Sequence, residues 1–246
     1  MKGDGTETFD CVVVGSGHAG SCAALAAKQS GCGRVLIVEK APKDWLGGNG
    51  YFTAGAHRTV HGGLSDLLPI VHNVSPEMAS TIDMDPYTAS DFTHDIMRLS
   101  DNRSDPTLVQ QLVQNSRDAI EWLAREIGVR FLFSFNRQAY QVNGRQKFWG
   151  GMVLSVEDGG KGLIANHQTA LEKAGIVIWY DSPALQLLSD GQVVTGLLVK
   201  HENKEISIRS TSVILASGGF EASEPLRAKY LGEEWRKARV SPLLYT

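Results

Sequence analysis

Cysteine is scarce in this chain. There are three, Cys11, Cys22 and Cys32, an odd number with no pair at metal-ligand spacing. That argues against an oxidising compartment and points to a reducing cytosol. No His/Cys/Asp cluster stands out, so no metal is expected. Excess charge of either sign is also missing. Lys and Arg number 24 against 27 Asp and Glu, interspersed, for a net charge of −3. Such a surface leaves no electrostatic footprint for nucleic acid. No apolar run approaches the ~18 residues that would span a membrane. The opening Met1–Thr6 carries neither an apolar signal core nor an Arg-rich amphipathic helix, so a cytoplasmic location is expected. Repeats, heptads and low-complexity stretches are lacking. The 246 residues suffice for a full core, as one large domain or two.

The feature that is present is Gly15-Ser16-Gly17-His18-Ala19-Gly20, with Glu39 nineteen residues after it. It follows the apolar run Cys11–Val14, which reads as a buried parallel strand. It opens an Ala-rich helix from Ala19 to Gln29. A second strand, Arg34 to Val38, delivers Glu39 at its end. Strand, glycine turn, helix, strand and acid in this order predict a site for an adenine dinucleotide. Gly15 permits the tight turn, and Gly17 lets the backbone approach a pyrophosphate. Gly20 and Ala24 let the helix lie close to the strands. The unpartnered N–H groups of the first helical turn face the anion. Glu39 suits a ribose 2′-OH and disfavours a 2′-phosphate. Lys40 reads as a neighbour of the adenosine end or as an exposed residue. His18 reads as a helix-start residue facing solvent.

A glycine-rich loop follows, Lys40 to Gly55, broken by Pro42. Its Gly47-Gly48-Asn49 and Thr53-Ala54-Gly55 steps offer backbone donors to a planar ligand. Residues 58 to 104 read as loops and short helices. Asp105-Pro106 then caps an amphipathic helix, with Leu108, Leu112, Ile120, Leu123 and Ile127 as its apolar stripe and Gly128 as its stop, or two helices with a break near Asn115. A second glycine-rich stretch, Glu157 to Gly162, precedes a helix over Leu163–Ala174 and a strand over Ile176–Tyr180. Segments Leu185–Leu188, Val193–Lys200 and Glu205–Arg209, separated by polar turns, predict an antiparallel meander. Thr211–Ala216 is read as a further strand, ending on Ser217-Gly218-Gly219-Phe220. Trp122 reads as packing. Lys161 reads equally as a ligand contact or as a surface residue. Glu157 and Asp158 are adjacent, so their carboxylates diverge and form no pair.

This order of motifs, with Trp45, Gly47, Gly48 and Asn49 and the run Val213–Gly219, resembles the flavoproteins of the succinate dehydrogenase/fumarate reductase family. Within that family it is most similar to the soluble tricarballylate-dehydrogenase-like branch. The resemblance covers residues 8 to about 240. It implies an α/β fold: a Rossmann-like FAD-binding domain of glutathione-reductase type, with a three-stranded β-meander and a helical insert. The implied parts are residues 8–60 and 151–220 as the two pieces of the FAD-binding domain, 61–150 as the insert, and 221–246 as the start of a capping domain.

It also implies FAD rather than NAD. Gly15, Ser16, Gly17, Ala19, Gly20, Glu39, Lys40, Gly47, Gly48, Asn49, Thr53, Ala54, Gly55, Gly160, Ala184, Ala216, Ser217 and Gly218 would contact it. Ala184 would offer its backbone to the adenine, and Thr53–Gly55 would run along the isoalloxazine. Asn49 stands where membrane-bound relatives carry the histidine that bonds to flavin, so non-covalent FAD is expected. The implied activity is hydride transfer between FAD and a carboxylate-bearing small molecule, with an electron acceptor the sequence does not identify. His57, Arg58 and His61 are the local candidates for substrate chemistry. Most of the capping domain, with its substrate-clamping arginines, has no counterpart here, and Ser241–Thr246 departs from the family pattern. The chain therefore reads as C-terminally shortened, with exposed apolar surface that favours association. A non-catalytic FAD- or nucleotide-binding protein is the alternative, with an NAD-linked dehydrogenase behind it.

Overall fold

The computed structural model describes residues 7–238. Met1–Thr6 and Ser241–Thr246, on which two of the readings above fall, lie outside the described residues. The chain divides into two compact units. One comprises the chain through Phe52 and again from His167, and the other comprises Thr53–Asn166.

The first unit begins with β1 (Glu7–Val14), α1 (His18–Gln29) and β2 (Val35–Val38), followed by the single-turn α2 (Asn49–Phe52). The apolar residues Cys11–Val14 and Val35–Val38 are buried on both faces, as strands inside a covered parallel sheet must be. The chain then forms the second unit: α3 (Leu64–Leu67), α4 (Pro76–Ala79), β3 (Ile82–Met84), α5 (Ala89–Leu99), α6 (Pro106–Trp122), β4 (Phe131–Phe133), α7 (Phe135–Gln138), β5 (Ala139–Val142), β6 (Arg145–Phe148) and β7 (Leu154–Val156). The helix α8 (Gly159–Lys173) leads back to the first unit, which finishes with β8 (Val177–Trp179), β9 (Ala184–Ser189), β10 (Val194–His201), β11 (Lys204–Leu215) and α9 (Glu224–Tyr230).

The main sheet has the order β8-β2-β1-β11-β10-β9. Strands β8, β2, β1 and β11 run parallel, while β9, β10 and β11 form the antiparallel meander. Phe9, Val12, Leu36, Leu197, Val199 and Ile208 pack into one core beneath it. The second unit holds two small sheets, β3-β6-β5 and β4-β7. The mixed α/β fold and the meander agree with expectation.

Several elements differ from the sequence reading. Strand β11 is a single element where two were read. Lys204–Arg209 pairs antiparallel with β10, and Ile208–Leu215 pairs parallel with β1. The polar trio Ser210-Thr211-Ser212 hid this continuity. The Thr211 hydroxyl donates to the Asp10 carbonyl at 2.6 Å, and that of Ser210 donates to the Ser212 carbonyl at 2.7 Å. The hydroxyls bond locally to the backbone instead of ending the strand.

Helix α6 has no break at Asn115, whose side-chain amide donates to the Gln111 carbonyl at 2.7 Å. The helix widens into a π-turn over Leu123–Ile127 before Gly128 ends it in the left-handed conformation, with φ 76°. Its buried face is Val109, Val113, Ser116 and Ile120. Leu108 and Leu112, assigned to the stripe from sequence, are 70% and 58% exposed. The polar Ser116 disguised the true face. Its hydroxyl donates to the Val113 carbonyl and accepts from the Val60 N–H.

Helix α5 falls in the stretch expected to hold loops and short helices, and Thr88 and Asp91 form a full capping box at its start. Helix α8 opens at Gly159, so the second glycine stretch is partly the first turn of a helix.

Candidate functional site

In the first unit, parallel strands β1, β2 and β11 end side by side, and the expected dinucleotide residues gather at those carboxyl ends. This is where open α/β sheets bind ligands. Gly15 donates its N–H to the Val38 carbonyl at 2.8 Å, and Ala216 donates to Val14 at 2.9 Å. The turn is tight: Gly15 has φ 100°, and a Cβ there would stand 2.6 Å from the Ala216 carbonyl oxygen. A Cβ on Gly20 would stand 1.9 Å from the Gly15 oxygen. Gly17 is the N-cap of α1 and carries no side chain to bond the first-turn N–H groups. The N-terminal end of a helix, the positive end of its dipole, is a favourable place for an anion.

Glu39 is tied to this turn. Its carboxylate accepts from the Ser16 N–H at 2.8 Å, the Ser16 hydroxyl at 2.6 Å and the Ala41 N–H at 2.7 Å. A carboxylate has about four acceptor positions, so one remains. Ser217 and Gly218 are exposed beyond β11, and Ala19 is exposed on α1. Lys40 is exposed and Ala184 starts the edge strand β9, also exposed. Gly47 and Gly48 take positive φ, and Asn49 is exposed at the start of α2. A Cβ on Gly48 or on Gly218 would meet nothing within 4 Å, so both border open space.

In the second unit, Thr53–Gly55 packs on the first turn of α8. Gly160 donates its N–H to the Thr53 carbonyl at 2.8 Å, and a Cβ on Gly55 would lie 3.0 Å from that of Val156. Gly55 donates its own N–H to the Thr53 hydroxyl at 3.2 Å. Lys161 is exposed.

The three candidates for substrate chemistry are each engaged within this unit. His57 Nδ1 lies 2.9 Å from the Gly55 carbonyl, with its ring edge-on to Phe131. Arg58 donates to Asp95 and to the Tyr87 hydroxyl, both at 2.8 Å. His61 is buried and stacked on Tyr87. The Gly63 N–H donates to His61 Nδ1 at 3.2 Å, which assigns the ring proton to Nε2, facing the Gly150 carbonyl.

Burial lowers the pKa of both His57 and His61 below 6.5. The unfolded chain therefore binds more protons in the window between the folded values and 6.5. Stability rises with pH through that window, is fully present above it, and is lost as pH falls through the folded values. The urea midpoint is thus expected to drop between pH 7.5 and pH 5, and His61→Gln is expected to flatten the slope.

One grouping was not legible in the sequence. His18 is half-buried instead of simply facing solvent. Its Nδ1 lies 2.7 Å from His167 Nε2, the two residues being 149 positions apart. Cys22 lies one turn along α1 from His18, and ligand atoms of His18, Cys22 and His167 all fall within 4.8 Å of one another. Only the i, i+4 spacing of His18 and Cys22 was visible in advance. Among the described residues no helix is long and apolar enough to cross a membrane.

Comparison with known proteins agrees with this architecture. Residues 10–57 and 77–243 match the model of a family described as "FAD binding domain". The chain is 29% identical over 231 residues to an NADH:fumarate oxidoreductase of Klebsiella pneumoniae, covering 91% of this chain and 22% of that protein. It is 29% identical over 230 residues to a fumarate reductase (cytochrome) of Shewanella frigidimarina, covering 91% and 35%. Among solved structures, the open conformation of a flavocytochrome c3 fumarate reductase superposes with a TM-score of 0.68 at 26% identity, over 91% of this chain and 36% of that one. The chain thus spans about a third or less of the length of these two curated relatives. The chain belongs to the FAD binding domain family, and its cofactor is FAD.

Proposed function

We propose that the chain holds FAD without a covalent bond, as part of an oxidoreductase moving hydride between FAD and a carboxylate-bearing small molecule of the fumarate, succinate or tricarballylate type. The observation that carries the reading is the meeting of the Gly15–Gly20 turn, Glu39 and Ala216–Gly218 at the ends of three parallel strands. The residues present fit the cofactor: the turn has close-packed glycines and uncapped N–H groups, Glu39 keeps an acceptor, and Gly48 and Gly218 border open space.

The first-turn N–H groups of α1 bind the pyrophosphate, and Glu39 takes a ribose hydroxyl. Ala184 offers its backbone to the adenine. The bound flavin supplies N5 as the hydride donor or acceptor. Asn49, an amide, keeps the attachment reversible. Residues 8–60 and 151–220 serve as the FAD-binding domain, 61–150 as its insert and 221–246 as the beginning of a cap.

The engagement of His57, Arg58 and His61 within their own unit favours a second reading, a chain that binds FAD without turning over substrate. Anaerobic turnover separates the two. With FAD bound and reduced benzyl viologen supplied, the first reading expects dye oxidation on adding fumarate or a tricarboxylate analogue. FAD retained with no viologen oxidation on any such acid, and no reduction of a high-potential acceptor such as dichlorophenolindophenol by succinate or tricarballylate, would establish the second.

A further inference from the structure

We propose that His18, Cys22 and His167 form a binding site for a thiophilic divalent cation of the zinc(II) class. His18 and Cys22 are one helical turn apart on α1, which places both on one face. His167 reaches them from α8 and is 1% exposed. The three donor atoms already lie within 4.8 Å of one another. Tetrahedral zinc, with Zn–N near 2.0 Å and Zn–S near 2.3 Å, sets donor separations of roughly 3.3 to 3.7 Å. The site therefore needs only side-chain adjustment: the two imidazole nitrogens, now 2.7 Å apart, open by about half an ångström, and the thiol closes in.

The chemistry of the donors selects the ion. Two imidazoles and a thiolate suit zinc, cobalt or copper and exclude magnesium, calcium and manganese, which prefer carboxylate and carbonyl oxygen. At the His18–His167 contact one ring nitrogen donates and the other accepts, so a lone pair already points inward. The metal takes the place of that shared proton, which moves to the outer nitrogen of its own ring. Cys22 binds as the thiolate, so the metal displaces its thiol proton. The balance is one thiol and one divalent cation giving one metal thiolate and one proton to solvent. Three protein ligands leave a further position for water.

The test uses the full chain, freed of metal, titrated with cobalt(II) in a thiol-free buffer. One equivalent is expected to produce a thiolate-to-cobalt charge-transfer band with tetrahedral visible bands, both erased by zinc(II). About one proton is released per cobalt, and affinity rises about tenfold per pH unit. Cys22→Ala is expected to abolish the charge-transfer band, and Cys32→Ala to leave it. His18→Ala, at a partly exposed position, is expected to weaken cobalt by more than the ~10–100-fold typical of outer-shell changes, with the far-UV spectrum unchanged. Absence of a charge-transfer band in the unaltered chain, or a band that survives Cys22→Ala, overturns the proposal.

Discussion

Gly20→Ala is expected to destabilise the first unit by about 3 kcal/mol or more, at the upper end of overpacking effects, and to abolish FAD retention. The added Cβ would sit 1.9 Å from the Gly15 carbonyl oxygen and 3.4 Å from the Ala216 side chain. Neither the turn nor α1 can yield alone. Gly15 is held at positive φ and hydrogen-bonded to β2, and Ala24 and Leu25 on α1 are buried against the sheet. Gly17→Ala is the informative contrast. Its Cβ would find the Gly47 carbonyl at an ordinary 3.6 Å, on a backbone with φ −65°. The fold is expected to tolerate it within about 1 kcal/mol, while FAD is lost because the methyl stands where the pyrophosphate approaches. Urea midpoints paired with FAD content separate the two effects. Equal stability loss in both variants would contradict this account of the turn.

Glu39 is expected to show the second large effect. Glu39→Ala leaves the buried Ser16 with an N–H and a hydroxyl stripped of their acceptor. A buried group left unsatisfied costs about 1–3 kcal/mol, so stability and FAD affinity fall together, affinity by roughly 100-fold by the same reasoning. Glu39→Gln keeps the shape but gives up the charge and turns one of the two accepting oxygens into an NH2 that faces an N–H donor, that of Ala41 or of Ser16. Charge-assisted bonds are roughly twice as strong as neutral ones, so Gln is expected to lose FAD affinity about tenfold and to cost about 1–3 kcal/mol of stability for the unsatisfied donor. Isothermal titration of the apoprotein with FAD measures both. Affinity unchanged in Glu39→Ala would remove Glu39 from the cofactor site.

The glycine turn and Glu39 were legible because each demand there is local: a strand to bury, a turn without Cβ, and an acid at the next strand end. The meander was equally legible, since Glu202-Asn203 and Asp190-Gly191 mark its two turns. What escaped was set by distant partners. Ser116 lies on the buried face of α6 because the Val60 N–H needs its hydroxyl, and no periodicity reveals that. Ser210–Ser212 continue a strand because Asp10 of β1 accepts from the hydroxyls. His18 is a partner of His167 because the fold brings that residue of α8 to the start of α1.

The central claim is that this chain builds a working, reversible FAD site. The direct measurement is the absorbance spectrum of the purified chain, supplied with FAD and desalted, before and after acid precipitation. The account predicts a flavin spectrum that travels with the protein and passes wholly into the acid supernatant. A protein that emerges colourless after FAD is supplied would contradict the site, and colour that stays with the precipitate would contradict non-covalent attachment at Asn49.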